Sequence, residues 1–226
     1  MWLGYGLCHQ LPARSLFGGA YQVPVCARDT GIYVGFVASF ALVALLAGGR
    51  RPAEGPRRWV IALGVVMIGV MVVDGVTSYA GIRTTDNPIR LATGLLAGYA
   101  LALFIVPLLN GQLWRVRDPS RPLDAFWKVL LWLASIPAVF FVTLWVLPWL
   151  GLGFPVLVML AILTTFTLVN LVIVAMMRPF ENRAERLRDL WQPVLLSFAF
   201  TIVELVGSAA LKAWMTGLAE WAARQR

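Results

Sequence analysis

Six long apolar runs, almost free of charge, decide what this chain can become. They lie near residues 31–49, 59–82, 88–112, 125–147, 153–177 and 190–214. Each is roughly 18–26 residues long, enough for a helix to cross a hydrocarbon core about 30 Å thick. Inside a bilayer each backbone N–H and C=O has to be satisfied without water, which leaves runs of this kind only the helix. The first, GIYVGFVASFALVALLAGG, carries no charged residue. The expected fold is therefore all-α: a polytopic integral membrane protein with about six transmembrane helices. Composition agrees, with 60% hydrophobic and only 13% charged residues among 226, where a soluble domain has about 25% charged. No polar stretch is long enough to form a separate soluble domain. The chain divides into a polar N-terminal Cys/His segment at 1–30, three spans at 31–112, and three further spans at 113–226 that end in a partly polar helix.

The formal net charge of +8 could suggest nucleic acid, but the basic residues form no single face. They fall in short connections, where they set orientation instead. Twelve of the nineteen occupy three connections: Arg50, Arg51, Arg57 and Arg58; Arg115, Arg117, Arg121 and Lys128; Arg178, Arg183, Arg186 and Arg188. The positive-inside bias places those three in the cytoplasm, so both termini are expected outside it. Residues 1–30 lack the layout of a cleaved signal peptide, so the first span is expected to act as the insertion signal. Trp59, Trp114, Trp127, Trp149, Trp191 and Trp214 sit near the run ends, as interfacial belts do. On this topology the N-terminal segment and the connection GIRTTDNPIR share the extracytoplasmic face.

The residues that could carry chemistry gather on that face. Cys8, His9, Cys26 and Asp29 offer soft and borderline ligands suited to zinc or another divalent metal. The adjacent Cys8–His9 pair is the weaker half, because metal ligands are usually separated by two or more residues. The competing reading is a Cys8–Cys26 disulfide, natural in an oxidising compartment and worth about 3 kcal/mol in the chain-entropy account. Asp74 lies within an apolar run and shares a helix face with Thr77 and Ser78. A carboxylate at membrane depth needs a partner, and Arg28 and Arg90 are the candidate cations. It serves either as a structural ion pair or as a catalytic base or extra metal ligand. Pro88 fits the first turn of the third span, with Asp86 or Asn87 as its cap. Arg90, near that helix N-terminus, is placed to hold an anion. Gly31/Gly35 and Gly94/Gly98 form two G-xxx-G pairs, which point to close helix packing. Asn170 and Glu204 are polar points in the fifth and sixth spans, Glu204 being open to proton relay, to a hydrogen bond or to a subunit contact.

These residues resemble those of a prokaryotic membrane-protein family, domain of unknown function 2085. The resemblance runs through Cys8, His9, Gln10, Pro12, Arg14 and Ser15, then Cys26, Arg28, Thr30, Gly31, Tyr33 and Gly35. It continues through Asp74, Gly75 and Thr77 to Arg83, Asn87, Arg90, Thr93 and Gly94. It covers roughly the first 100 residues and three spans, and it implies the cytoplasmic membrane of a prokaryote. In one place the chain departs from the family pattern: Asp29 stands where the family has a further cysteine. The resemblance carries no activity, but it groups the same residues that the topology groups.

The resulting expectation is a site that binds or acts on a lipid or small anionic ligand. Cys8, His9, Cys26 and Asp29 would hold a metal, Asp74 would act as base or added ligand, and Arg28, Arg83, Asn87 and Arg90 would hold negative charge. Membrane lipids are the expected partners. The alternative is a non-catalytic subunit of a larger membrane complex, with Cys8–Cys26 as a structural disulfide. A carrier ranks last, because no pair of broken helices is visible.

Overall fold

The computed structural model describes residues 2–224. Helix α1 (Trp2–Tyr5) is followed by a hairpin of β1 (Ser15–Gly18) and β2 (Tyr21–Cys26). Then come α2 (Ala27–Leu46), α3 (Arg58–Tyr79), α4 (Asn87–Leu113), α5 (Phe126–Phe141), α6 (Gly153–Ala175) and α7 (Trp191–Arg224). A π turn and a 3-10 turn carry α5 on to Leu150. Among the described residues, six helical stretches are long and apolar enough to cross a membrane: Ala27–Leu46, Arg58–Tyr79, Asn87–Leu113, Phe126–Leu150, Gly153–Ala175 and Leu187–Leu218. The protein is an all-helical, multi-pass membrane protein carrying one small hairpin.

Two boundaries differ from the apolar runs. The first spanning helix begins at Ala27, so Arg28, Asp29 and Thr30 belong to its first turn and Cys26 is its N-cap. Polar residues are natural there: free N–H groups at a helix start attract a carboxylate such as Asp29. At the other end of the chain, α7 runs without a break to Arg224. The partly polar end continues the last span instead of forming a separate surface helix, and 225–226 lie outside the described residues.

The bundle is built around α4, whose buried positions run from Arg90 to Leu113. Its contact with α2 is backbone against backbone. A Cβ on Gly94 would come within 2.0 Å of the Arg28 carbonyl oxygen, and one on Gly98 within 2.2 Å of that of Ile32. From the other side, a Cβ on Gly31 would lie 2.4 Å from the Leu91 carbonyl oxygen. The two G-xxx-G pairs therefore face each other. Lipid supplies no hydrophobic drive between helices, so such close approach and shared hydrogen bonds do the joining. Midway along, Trp132 of α5 donates through Nε1 to Ser39 Oγ (2.8 Å), and Ser39 donates to the Tyr99 carbonyl (3.0 Å). The Tyr99 and Trp132 rings meet at 5.6 Å, which locks α2, α4 and α5 together.

The three basic connections lie together at one end of the bundle. Arg51 stacks over the Trp114 ring at 3.3 Å, Arg121 meets Glu54 at 2.9 Å, and Arg115 pairs with Glu185. The hairpin, the 80–86 turn and the 147–152 connection occupy the opposite end. There Gly18 backs onto the Gly151 carbonyl so closely that a Cβ would meet it at 2.1 Å.

Candidate functional site

The site starts from a turn that few residues tolerate. Gln10 takes a left-handed φ of 52°. Its side chain donates to the Pro24 carbonyl (2.9 Å), and its own carbonyl accepts from Gln22 Nε2 (2.9 Å). Two hydrogen bonds to the hairpin thus hold a conformation that costs about 1–3 kcal/mol elsewhere. The hairpin turns at Gly18-Gly19-Ala20, where Gly19 has φ 59°, as a two-residue turn with a positive first central φ requires. Folded back in this way, the chain sets Cys8 against Cys26.

Sγ of Cys8, Sγ of Cys26 and a carboxylate oxygen of Asp29 all lie within 4.8 Å of one another, and both thiols are free. The two thiols share their protons unequally. The hydrogen bond from Cys26 lowers Cys8 to about 5, against the effect of burial, and the Gln10 and Cys26 backbones and the Asp29 side chain add hydrogen bonds to it. Cys26 is pushed upward, first by the same bond to Cys8, then by burial and by the Asp29 charge. Two thiols and a carboxyl at this spacing are a donor set that zinc-class ions favour.

His9 stands apart from this trio. It is exposed, yet it lines a cavity of about 160 Å³ together with Cys8, Cys26, Leu11, Arg14, Tyr79 and Arg90. Lys212 of α7 closes the back of the segment. Its Nζ donates to the carbonyls of Tyr5 and Cys8, both at 2.7 Å, and lies 4.5 Å from the centre of the Tyr5 ring.

Asp74 belongs to a second cluster. Its Oδ2 accepts from Arg28 Nη2 (2.5 Å) and Thr93 Oγ1 (3.1 Å). Its Oδ1 accepts from Arg83 and from Thr85 Oγ1 (3.3 Å). Asp74 and Arg28 are both buried, so each supplies the partner that the other requires. Of the residues expected to hold an anion, Arg28 and Arg83 are thus engaged with Asp74, and Asn87 donates to the Ser15 carbonyl at 3.2 Å. Arg90 alone of the four lines the cavity. Thr85 O (3.0 Å) and Ser78 Oγ (3.3 Å) hold its guanidinium. Arg14 joins it there, stacked on Tyr79 at 5.6 Å. Sequence reasoning passed over Arg14 as a site residue; its signal was its place in the same short motif as Cys8 and His9.

Asn170 and Glu204 lie away from this end. Asn170 donates to Thr201 Oγ1 (3.0 Å) and to Glu204 Oε2 (3.2 Å), while Glu204 itself is exposed on the outside of α7.

Comparison with known proteins bears on the N-terminal part of the chain. Residues 8–104 match the family described as "Predicted membrane protein", domain of unknown function 2085. An uncharacterized protein of Methanocaldococcus jannaschii is 29% identical over 109 residues, which is 48% of this chain and 67% of that protein. An uncharacterized protein of Methanothermobacter thermautotrophicus is 34% identical over 97 residues, 43% of this chain and 82% of that protein. No solved structure matches. The match begins at Cys8 and takes in both cysteines, the Asp74 cluster and the α2–α4 contact, and on it the chain belongs to the family of membrane proteins known as domain of unknown function 2085.

Proposed function

We propose that this protein holds a divalent metal of the zinc class at Cys8, Cys26 and Asp29 and presents it to a small anionic or lipid ligand at the membrane surface. The observation that carries the reading is the convergence of two thiols and a carboxylate within 4.8 Å. A tetrahedral ion with metal–sulfur bonds near 2.3 Å spaces its ligands about 3.5–4 Å apart, so a small contraction completes the set. Three protein ligands leave the fourth position for a ligand or a water, the pattern of reactive zinc sites. His9, on the wall of the same cavity, is the protein group closest in role to a fourth ligand. Bound there, a metal would supply Lewis acidity and an activated water. Arg28 and Arg83 hold Asp74, and that cluster fixes the first turn of α2, from which Asp29 projects. The positive-inside bias favours the extracytoplasmic face for this site, and a prokaryotic cytoplasmic membrane is the setting that the family resemblance implies.

The test is elemental analysis of the purified protein together with free-thiol counting under non-reducing conditions. The reading expects about one metal per chain, lost in Cys26→Ser. No metal and no free thiols would replace it with a Cys8–Cys26 disulfide.

A second reading has its own observation. Glu204, midway along the last span, is exposed on the outside of the protein, where a carboxyl facing lipid is costly. A protein partner covering it would make the chain a subunit of a larger membrane complex. Extraction in a mild detergent separates the two: a stable heteromeric assembly, dispersed by Glu204→Leu, favours the subunit, and a lone chain favours the metal site acting by itself.

A further inference from the structure

We infer that the cavity beside Cys8 and Cys26 is a phosphate-binding site in which Arg14 and Arg90 clamp the anion. The inference rests on the metal reading for its second half, because the metal would sit on the same cavity wall.

The cavity is lined by two arginines and one histidine, and no carboxylate is among its lining residues. Arg90 is buried, and its Nε and Nη2 are spent on Thr85 and Ser78. Those two bonds fix the plane of the guanidinium and leave Nη1 without a hydrogen bond among the described residues. Held rigidly by neutral oxygens, this buried guanidinium forms no ion pair among the described residues. Arg14 makes no ion pair among the described residues either, and its guanidinium lies over the Tyr79 ring at 5.6 Å, which leaves its N–H donors available. Two arginine forks facing a shared space match the oxygens of a phosphate better than a point charge would.

Size narrows the ligand. About 160 Å³ equals the volume share of roughly five water molecules. That is enough for a phosphate group and too little for a whole organic ligand, whose pockets run to about 300–1,000 Å³. The rest of any larger ligand would lie outside, over Leu11 and Tyr79, which are 46% and 71% exposed. Both stand at the hairpin end of the bundle, and a phospholipid headgroup and a free phosphate share the chemistry. Charge links this site to the metal. Cys8, Cys26 and Asp29 can together carry negative charge that repels an anion, and a divalent cation on them removes most of it.

The experiment uses the full chain in phosphatidylcholine nanodiscs, metal-loaded and chelator-treated, with metal content measured in each sample. Two probes are titrated: inorganic phosphate and dihexanoyl phosphatidate. Saturable binding to the loaded protein is expected, weakened at least 10-fold by Arg14→Ala with metal content unchanged. Arg14→Lys, which keeps the charge and loses the fork, should weaken it about 3-fold and guards against a folding artefact. Tighter binding of phosphatidate identifies a lipid headgroup; equal binding identifies the phosphate alone. A metal-loaded protein that binds neither probe, or binds them equally well after Arg14→Ala, overturns the inference and leaves the metal reading standing. A protein that takes no metal yet binds phosphate through Arg14 supports the inference and removes the metal reading.

Discussion

The two ends of the bundle use their charges differently. At the basic end, Arg121–Glu54 and Arg115–Glu185 lie on the surface, with side chains about half exposed or more. At the hairpin end, Asp74 is 1% exposed at its side chain and Arg28 8%. Exposed pairs exchange good solvation for a modest Coulomb gain, so they anchor and orient more than they stabilise. A buried pair has surrendered its water, and either partner alone would be stranded. The comparison teaches that charge count says little about importance in this chain; the depth at which a charge is paired says more.

Asp74→Ala should therefore have the largest effect, a loss of about 3–5 kcal/mol, seen as a strongly lowered melting temperature in detergent. If it melts like Arg121→Ala, the contrast between the ends is broken. Gly94→Ala comes next. Its Cβ would strike the Arg28 carbonyl, and forcing two packed backbones apart costs about 1–3 kcal/mol or more. Gly69→Ala, with nothing within 4 Å of the new atom, is the control expected to melt no lower than the parent. Lys212→Met removes the donor shared by the Tyr5 and Cys8 carbonyls, a loss of about 1–3 kcal/mol. It should also speed alkylation of Cys8, read by mass spectrometry.

The pH profile of that alkylation sharpens the picture. The folded Cys8 is lowered to about 5, so in metal-free protein its thiolate is present above that pH and lost below it. Half-maximal reactivity is expected near pH 5, and Cys26→Ala should return it toward the ordinary thiol value by removing the donor. The smallest effect belongs to Arg121→Ala at the other end, within about 0.5 kcal/mol and smaller still in high salt.

The same contrast explains what could be read from the sequence. The spans were legible to within a few residues, because an uncharged run of that length has no other solution in a bilayer. Gly31, Gly35, Gly94 and Gly98 announced a close contact by spacing alone, and the structure sets those pairs against each other. Asp74 announced its need for a cation, and Arg28 meets it. The start of α2 was hidden, because Arg28 and Asp29 read as loop when only apolarity is counted, yet a helix's first turn welcomes a carboxylate. The hairpin was hidden too. Its signal, Gly18-Gly19-Ala20 between short apolar stretches, is brief and lies beside much stronger patterns. Arg14 and Arg90 sit on separate elements, brought to one cavity only by the fold of the N-terminal segment, and no spacing rule reaches across that distance.

Lys212 also imposes an order of events. It belongs to α7 and grips the carbonyl of Cys8, 204 residues earlier in the sequence. During synthesis the cysteine segment emerges first, but the ammonium that seats it arrives some two hundred residues later. Until α7 is inserted, the Cys8 segment lacks that ammonium and depends on the Gln10 bonds to the hairpin. The cysteine segment thus waits for α7 to complete its seating, and a nascent chain stalled before α7 would lack that anchor.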